Sequence, residues 1–222
     1  MRQRAFEFSV PAEPTLDLFI TGRNRELVER LRALERPGGE RCIYIWGAAG
    51  SGRTHLLKAT LARLQDTRVR TAYIAADARA GVSEDLHDFD AIALDDVERL
   101  DATGQAALFG LYNALREAGK TLLVAGNVAP MQLPLRADVV TRLGWGLVYE
   151  VHVPSDAEKA EALAQHATVR GFRLAPEVRE YLLNHVPRDM PTLLAMLHAL
   201  DRYSLEAKRA ITVPLLRELL NK

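Results

Sequence analysis

Short apolar runs alternate with segments of helical periodicity along the chain before residue 154. Leu27, Leu31 and Leu34 recur at the spacing that is typical of one buried face of a helix. Strands that alternate with helices are joined by crossover connections and form a buried, mostly parallel sheet. The pattern predicts a doubly wound α/β domain whose strands are the apolar runs 42–46, 70–75, 90–96, 121–125 and 147–151.

The pattern changes after residue 154, where no convincing strand run follows. Ser155 and Glu158 have the spacing of a capping box and predict a helix to about Thr168. Proline begins a second helix at Pro176, and a third is predicted from Pro191 to Leu205. We therefore expect an N-terminal arm over 1–19, an α/β domain over 20–154 and a small all-helical domain over 155–222.

Charge and composition narrow the class of protein. The 222 residues carry 29 basic and 29 acidic side chains, so no global positive field attracts the chain to nucleic acid or to an acidic membrane. Cys42 is the single cysteine and excludes an internal disulfide. The N-terminus lacks an apolar signal region, and no stretch reaches the roughly 18 apolar residues of a membrane span. These features predict a cytoplasmic protein.

Residues 47–54 read Gly-Ala-Ala-Gly-Ser-Gly-Arg-Thr, which has the spacing of the phosphate-binding loop G-x-x-x-x-G-K-[ST]. An apolar run precedes the loop and a helical pattern follows it, as the motif requires. Its glycines allow backbone N–H groups to surround a phosphate, and Thr54 offers a hydroxyl to Mg²⁺. The alternative is a glycine-rich turn without a ligand. The complete spacing favours nucleotide binding.

Arg53 is the one departure from this motif, because a lysine is expected at its position. Arginine keeps the positive charge but replaces a compact ammonium by a broad planar fork. We therefore expect that nucleotide binding is retained, while hydrolysis by the chain itself is weak or absent.

Polar side chains follow two of the predicted strands. Asp95 and Asp96 end one strand, where open parallel sheets present ligand groups, and Asn127 follows the next. Asp95 is predicted to hold Mg²⁺, and Asp96 to orient an attacking water. Asn127 is a candidate sensor of the γ-phosphate. The simpler interpretation is that all three are turn residues.

Arg142 lies near the end of the α/β domain. An arginine there is a candidate finger that stabilises phosphate charge in a neighbouring subunit. Local sequence alone favours a solvated surface arginine over such a finger.

Together, the loop, the two aspartates, Asn127 and residues 141–146 with the helices behind them resemble AAA+ ATPases of the bacterial replication initiator clade. Within that clade, the chain resembles a subfamily of regulatory inactivators, which also have an arginine in place of the loop lysine. The resemblance implies a P-loop AAA+ domain followed by a helical lid, with Mg²⁺ held by Thr54 and Asp95. It also implies ADP or ATP bound by the residues Ile20, Gly22, Gly47, Gly50, Ser51, Gly52, Arg53, Thr54 and His55.

The same resemblance implies two protein partners. Arg142 would be a finger acting in trans on ATP bound to the replication initiator DnaA. The DNA polymerase III sliding clamp (beta subunit) would be bound through the N-terminal peptide that contains Gln3, Phe6 and Phe8. Arg4 and Glu7 depart from the usual clamp-binding pattern.

The lid departs from the family pattern at the position where an arginine usually reaches the nucleotide. Pro191 stands at that position, and Arg188 is the candidate replacement. No helix-turn-helix segment follows the lid, so no direct sequence-specific DNA binding is expected; a homodimer is possible. Two alternatives remain at this point: a self-sufficient ATPase such as a helicase loader, and an initiator-docking scaffold without activation.

Overall fold

The computed structural model describes residues 14–76 and 84–221. These residues form two compact units, 14–153 and 154–221, and each has a hydrophobic core of its own. Within the described residues, no helix combines the length and the apolar character needed to cross a lipid bilayer.

The first unit is built on five parallel strands in the order β2-β3-β4-β1-β5. Because β1 lies between β4 and β5, and β4 separates it from β3, the carboxyl ends of β3, β4 and β1 are neighbours at one edge. The predicted α/β fold is confirmed. The strands are β1 (Cys42–Trp46), β2 (Thr71–Ala75), β3 (Ala91–Asp95), β4 (Thr121–Gly126) and β5 (Leu147–Glu150).

Four helices cover the two faces of this sheet. Alternate side chains of one strand point to opposite faces, so Tyr44 packs in one core and Ile43 and Ile45 in the other. The helices are α1 (Arg25–Ala33), α2 (Arg53–Asp66), α3 (Ala102–Glu117) and α4 (Ala137–Leu143). Short 3₁₀ turns cover Gly22–Asn24, Glu84–Asp88, Val97–Arg99 and Pro130–Gln132.

The second unit is entirely helical in its regular structure. Its helices are α5 (Asp156–Val169), α6 (Pro176–His185), α7 (Met190–Ala207) and α8 (Val213–Leu220). Both hydrogen bonds of the predicted capping box at Ser155 and Glu158 are formed. Side chains of Leu163, Leu182, Leu197 and Leu215 are fully buried and form one core. The predicted helical lid is therefore present.

The structure differs from the sequence prediction at three places. Residues 14–19, predicted as the end of the arm, belong to the first unit, where Leu16 is buried in the core. Helices α4 and α8 were not predicted. Both are short, and α8 begins with the Val-Pro pair that sequence analysis assigned to no element.

Candidate functional site

The loop between β1 and α2 has the backbone geometry of a phosphate cradle. Gly50 and Gly52 have φ angles of 78° and 99°, in the region that favours glycine, and α2 begins directly after Gly52 at Arg53. A Cβ on Gly47 would lie 2.5 Å from the Val151 carbonyl oxygen, so the loop starts tightly against the chain that follows β5. The loop thus places the first turn of α2 at the carboxyl edge of the sheet.

Two buried polar atoms of the loop lack hydrogen-bond partners among the described residues. Ser51 is 2% exposed, and its Oγ is unpaired. Arg53 has an unpaired Nη1, and its side chain is 13% exposed. Buried polar groups are normally hydrogen-bonded, so an unpaired hydroxyl and an unpaired guanidinium nitrogen beside a helix N-terminus fit an anionic ligand.

Asp95 is buried at the end of β3 and accepts three hydrogen bonds. Thr54 Oγ1 donates to its Oδ2 at 2.6 Å, Tyr73 Oη donates to the same atom at 2.9 Å, and the backbone N–H of Asp96 donates to Oδ1 at 3.1 Å. The loop hydroxyl and the strand-end carboxylate, both predicted to hold Mg²⁺, are therefore in direct contact. An exposed Thr54 beside an ionisable Asp95 is a suitable oxygen donor set for a hard cation.

Tyr73 was missed by sequence reasoning. It lies on β2, where the parallel register pairs Ala75 with Asp95, so Tyr73 projects from the same face of the sheet as Asp95. Burial, and then the charge of Asp95, raise the pKa of the Tyr73 hydroxyl, which keeps it a hydrogen-bond donor at neutral pH. An aromatic residue two positions before the end of a neighbouring strand is the only sequence signal for this role.

Asp96 lies between two guanidinium groups. Its Oδ1 is 3.9 Å from Arg53 Nη2, and its Oδ2 is 3.6 Å from Arg99 Nη1. The backbone of Asp96 has a φ of 53°, in the left-handed region that non-glycine residues rarely adopt. The residue predicted to orient water is thus held by the same arginine that replaces the loop lysine.

Asn127 follows β4, the strand between β3 and β1, and is exposed at the same edge. Its position is determined by Tyr44, whose hydroxyl donates to the Val128 carbonyl at 2.7 Å. The same hydroxyl lies where a Cβ on Gly126 would be, so only glycine fits before Asn127. Asn127 therefore follows the strand that lies between the strand of the loop and the strand of the aspartates.

His55, predicted to bind nucleotide, contacts the segment that leads into the domain. Its Nε2 is 2.8 Å from the Thr15 carbonyl oxygen, and its ring centroid is 5.8 Å from that of Phe19. A carbonyl only accepts, so Nε2 carries the proton. Phe19 in turn lies against Gly52, where a Cβ would be 2.7 Å from its ring. Residues 15–19 are thus packed directly on the phosphate loop.

Acidification should weaken this packing. Burial lowers the pKa of His55 below its usual value of 6.5, more than the Thr15 hydrogen bond raises it. The unfolded state therefore binds the proton more readily, and stability should fall as pH decreases from about 6.5 through the folded pKa. Thermal unfolding should be measured between pH 7.5 and pH 5. The decrease in unfolding temperature over this range should be smaller for His55→Phe than for the unchanged chain.

His198 provides the control for this measurement, because burial also lowers its pKa. His198→Phe should remove a separate part of the pH dependence of stability. The effects of His55→Phe and His198→Phe should be additive, because the two residues lie in different units. A pH dependence in His55→Phe equal to that of the unsubstituted chain would show that burial does not disfavour the protonated form of His55.

Ile20 and Gly22, the residues predicted to contact adenine, lie just before α1. This segment is tied to the chain after β5 by Asn24, whose buried amide donates to the His152 carbonyl at 3.0 Å and accepts from the His152 N–H at 2.8 Å. The reciprocal pair fixes the segment before α1 beside Val151, which lies against Gly47 of the loop. Asn24 was not predicted to have this role.

Arg142 is near the end of α4 and is anchored on its own unit. Its Nε donates to Asn113 Oδ1 at 3.0 Å, and its guanidinium carbon lies 3.9 Å from the ring centroid of Trp145 and 5.0 Å from that of Phe109. Within residues 14–76 and 84–221, neither Nη group has a hydrogen-bond or carboxylate partner. The candidate finger is therefore held with one edge free.

The lid residues singled out from the sequence are placed as follows. Pro191 lies in the first turn of α7, which Asp189 caps through the N–H of Thr192. Arg188 donates to Asp156 Oδ2 at 2.7 Å and to the Leu183 carbonyl at 3.0 Å. Arg188 thus joins α6 to the start of α5 inside the lid. The clamp-peptide residues Gln3, Phe6 and Phe8 lie outside the described residues.

Solved structures with the same fold include two DnaA proteins. Domain III of DnaA from Thermotoga maritima is 21% identical, with a TM-score of 0.76 over 96% of this chain and 98% of that one. AMPPCP-bound DnaA from Aquifex aeolicus is 24% identical, with a TM-score of 0.75 over 88% of this chain and 67% of that one. A RuvB variant from Thermotoga maritima is 15% identical, with a TM-score of 0.72 over 94% and 71%. These similarities show a shared fold.

Two family models match the sequence, and they divide it as the fold does. The lid domain of Hda matches residues 156–220. The bacterial DnaA ATPase domain matches residues 12–150, which is more than half of the chain. The chain therefore belongs to the bacterial DnaA ATPase-domain family, and its C-terminal residues are similar to the lid domain of Hda.

Proposed function

We propose that this chain binds ADP or ATP at the loop 47–54 and uses the bound nucleotide as a structural ligand. The supporting observation is the pair of unpaired buried groups, Ser51 Oγ and Arg53 Nη1, beside the N-terminus of α2. A phosphate supplies the oxygen acceptors that both groups need. The AMPPCP-bound DnaA of similar fold is consistent with this use of the site.

Thr54 and Asp95 would hold Mg²⁺ beside the phosphates. Mg²⁺ commonly takes one or two protein ligands and completes its octahedron with water and phosphate oxygens, which suits a single hydroxyl–carboxylate pair. The ion would neutralise phosphate charge when bound. Tyr73 keeps the Asp95 carboxylate in place through its 2.9 Å hydrogen bond.

The chain's own hydrolysis should be weak because of the surroundings of Asp96. A carboxylate that orients water must be free to accept its proton or hydrogen bond. Asp96 instead faces Arg53 and Arg99 at 3.9 Å and 3.6 Å. These contacts favour a nucleotide-holding module over a self-sufficient ATPase.

The activity that we propose is regulation of DnaA: the chain supplies Arg142 to ATP bound on the initiator and stimulates its hydrolysis, which prevents re-initiation. The observation that carries this proposal is the guanidinium of Arg142: Nε and one face anchor it, and neither Nη group has a hydrogen-bond partner among the described residues. Two parallel N–H groups are the donor set that arginine uses for phosphate oxygens. The similarity of the C-terminal residues to the lid domain of Hda supports the same role.

A reconstitution experiment tests this function. ATP-loaded DnaA is mixed with the chain, the sliding clamp and DNA, and phosphate release is followed. We expect release to depend on all four components, whereas the chain with ATP alone should release little. Equal turnover by the chain alone would support the self-sufficient ATPase, and no stimulation with intact binding to DnaA would support the scaffold.

Attachment to the clamp is proposed to use Gln3, Phe6 and Phe8. A short peptide with two aromatic anchors binds through apolar pockets, so Phe6→Ala with Phe8→Ala should abolish clamp binding. Unfolding temperature should be unchanged, because the sequence predicts that these residues lie in an arm outside the core. Surface plasmon resonance on immobilised clamp measures the loss, and an unchanged affinity would place the attachment elsewhere.

A further inference from the structure

The turn after α4 places a half-exposed tryptophan on the candidate finger. Trp145 follows Arg142 by three residues, and the backbone N–H of Trp145 donates to the Arg142 carbonyl oxygen at 3.1 Å. This turn folds the indole back so that the guanidinium carbon lies 3.9 Å from the ring centroid. The side chain of Trp145 is nevertheless 52% exposed, so its ring contributes little to the core.

The backbone that carries Trp145 is fixed by its neighbour Gly146. A Cβ on Gly146 would coincide with the Cys42 carbonyl at the start of β1, so the chain runs tightly against the sheet at this point. The ring is therefore attached to a rigid part of the first unit. A fixed ring can hold a long side chain in one orientation, whereas a mobile ring cannot.

The contacts of Arg142 use only part of its guanidinium. The face lies on Trp145, and Nε donates to Asn113, which together restrain the group in position and rotation. In the part of the chain that the structure describes, Nη1 and Nη2 have no hydrogen-bond partner. A preorganised donor pair loses less side-chain freedom on meeting a phosphate than an arginine that must first be ordered.

From these contacts we infer that Trp145 is a positioning residue for Arg142: its ring holds the guanidinium with the Nη edge ready for the phosphates of the partner's nucleotide. The inference rests on the proposed function, because it deepens the role assigned to Arg142. Arg116 provides a comparison, since its guanidinium carbon lies farther from the same ring, at 5.3 Å from the centroid.

The first test of this role uses the chain alone. Trp46→Phe leaves Trp145 as the single tryptophan of the two in the sequence. The emission of an indole responds to the charges beside its ring, so Arg142→Ala in this background should shift Trp145 fluorescence. Arg116→Ala should shift it much less. Unchanged emission after Arg142→Ala would overturn the stacking, whatever the outcome with DnaA.

The second test measures phosphate release from ATP-loaded DnaA in the reconstituted system, with Trp46 restored. Trp145→Ala should lower the saturating rate by about 10- to 100-fold, since misplacement of a catalytic group by about 1 Å has effects of this size. The concentration for half-maximal stimulation should stay the same. Trp145→Phe should recover most of the rate, because phenylalanine keeps an aromatic face for the cation, while Trp145→Leu should not.

The double variant separates positioning from a general effect on structure. Arg142→Ala with Trp145→Ala should be no slower than Arg142→Ala alone, because the ring acts only through the arginine. Full stimulation by Trp145→Ala, or equal rescue by leucine and phenylalanine, would overturn the inference while leaving the role of Arg142 intact. Full stimulation by Arg142→Ala would instead overturn the proposed function and this inference with it.

Discussion

Arg142→Ala should bind the initiator but fail to stimulate its ATP hydrolysis. A cation at the γ-phosphate stabilises charge that develops in the transition state, so its removal lowers the rate and leaves complex formation nearly intact. Arginine fingers accelerate hydrolysis by about 10³- to 10⁵-fold in the best-studied systems. Single-turnover phosphate release from ATP-loaded DnaA measures the loss, and co-sedimentation or calorimetry measures binding.

Two further variants control this experiment. Arg142→Lys should rescue poorly, because an ammonium lacks both the planar fork and the Nε that donates to Asn113 at 3.0 Å. Asp96→Asn should leave stimulation largely unaffected, since the partner's own residues position the attacking water. If DnaA hydrolysed its ATP fully with Arg142→Ala and not at all with Asp96→Asn, Arg142 would not be the finger. The result would favour a self-contained ATPase.

Gly47→Ala should abolish nucleotide-linked stabilisation of the chain. The added Cβ would lie 2.5 Å from the Val151 carbonyl oxygen, a backbone atom that moves only with the end of β5. Overpacking of this kind lowers the free energy of unfolding by about 1–3 kcal/mol. The displaced loop should also lose its alignment toward phosphate, so calorimetric titration with ADP and Mg²⁺ should show no binding.

Gly110→Ala is the matched control, because a Cβ there meets nothing within 4 Å and the residue lies inside α3. It should raise the free energy of unfolding by about 0.5–1 kcal/mol and leave ADP binding intact. For the unchanged chain, ADP at 100 times its dissociation constant should add about 2.7 kcal/mol. Wild-type ADP affinity in Gly47→Ala would show that the loop is not the nucleotide site.

Much of the candidate site could be predicted because it depends on chain order. The loop, Asp95 and Asn127 each follow an apolar run, and parallel strands present their carboxyl ends at the same edge. Contact between Thr54 and Asp95 at 2.6 Å is compatible with the placement of those ends at one edge of the sheet. The lid was also predictable, since the Ser155 capping box is a local signal that needs no tertiary contact.

Side-chain partners from distant segments could not be predicted in the same way. Tyr73 meets Asp95 only because β2 pairs with β3 in a register that brings Ala75 beside Asp95. Phe19 meets Gly52 only because residues 15–19 fold back over the start of α2. Such contacts depend on register and loop path, which hydrophobic spacing does not specify.

The amino-acid sequence by itself determined the alternation of strands and helices, the loop spacing and the residue types at the strand ends, because these depend on local periodicity and backbone preference. Tertiary structure alone decided which groups those residues meet. It placed Arg53 beside Asp96, and it brought Asn113 to the Nε of Arg142. Both arrangements depend on distances between side chains, and those distances exist only after the sheet and its helices have packed.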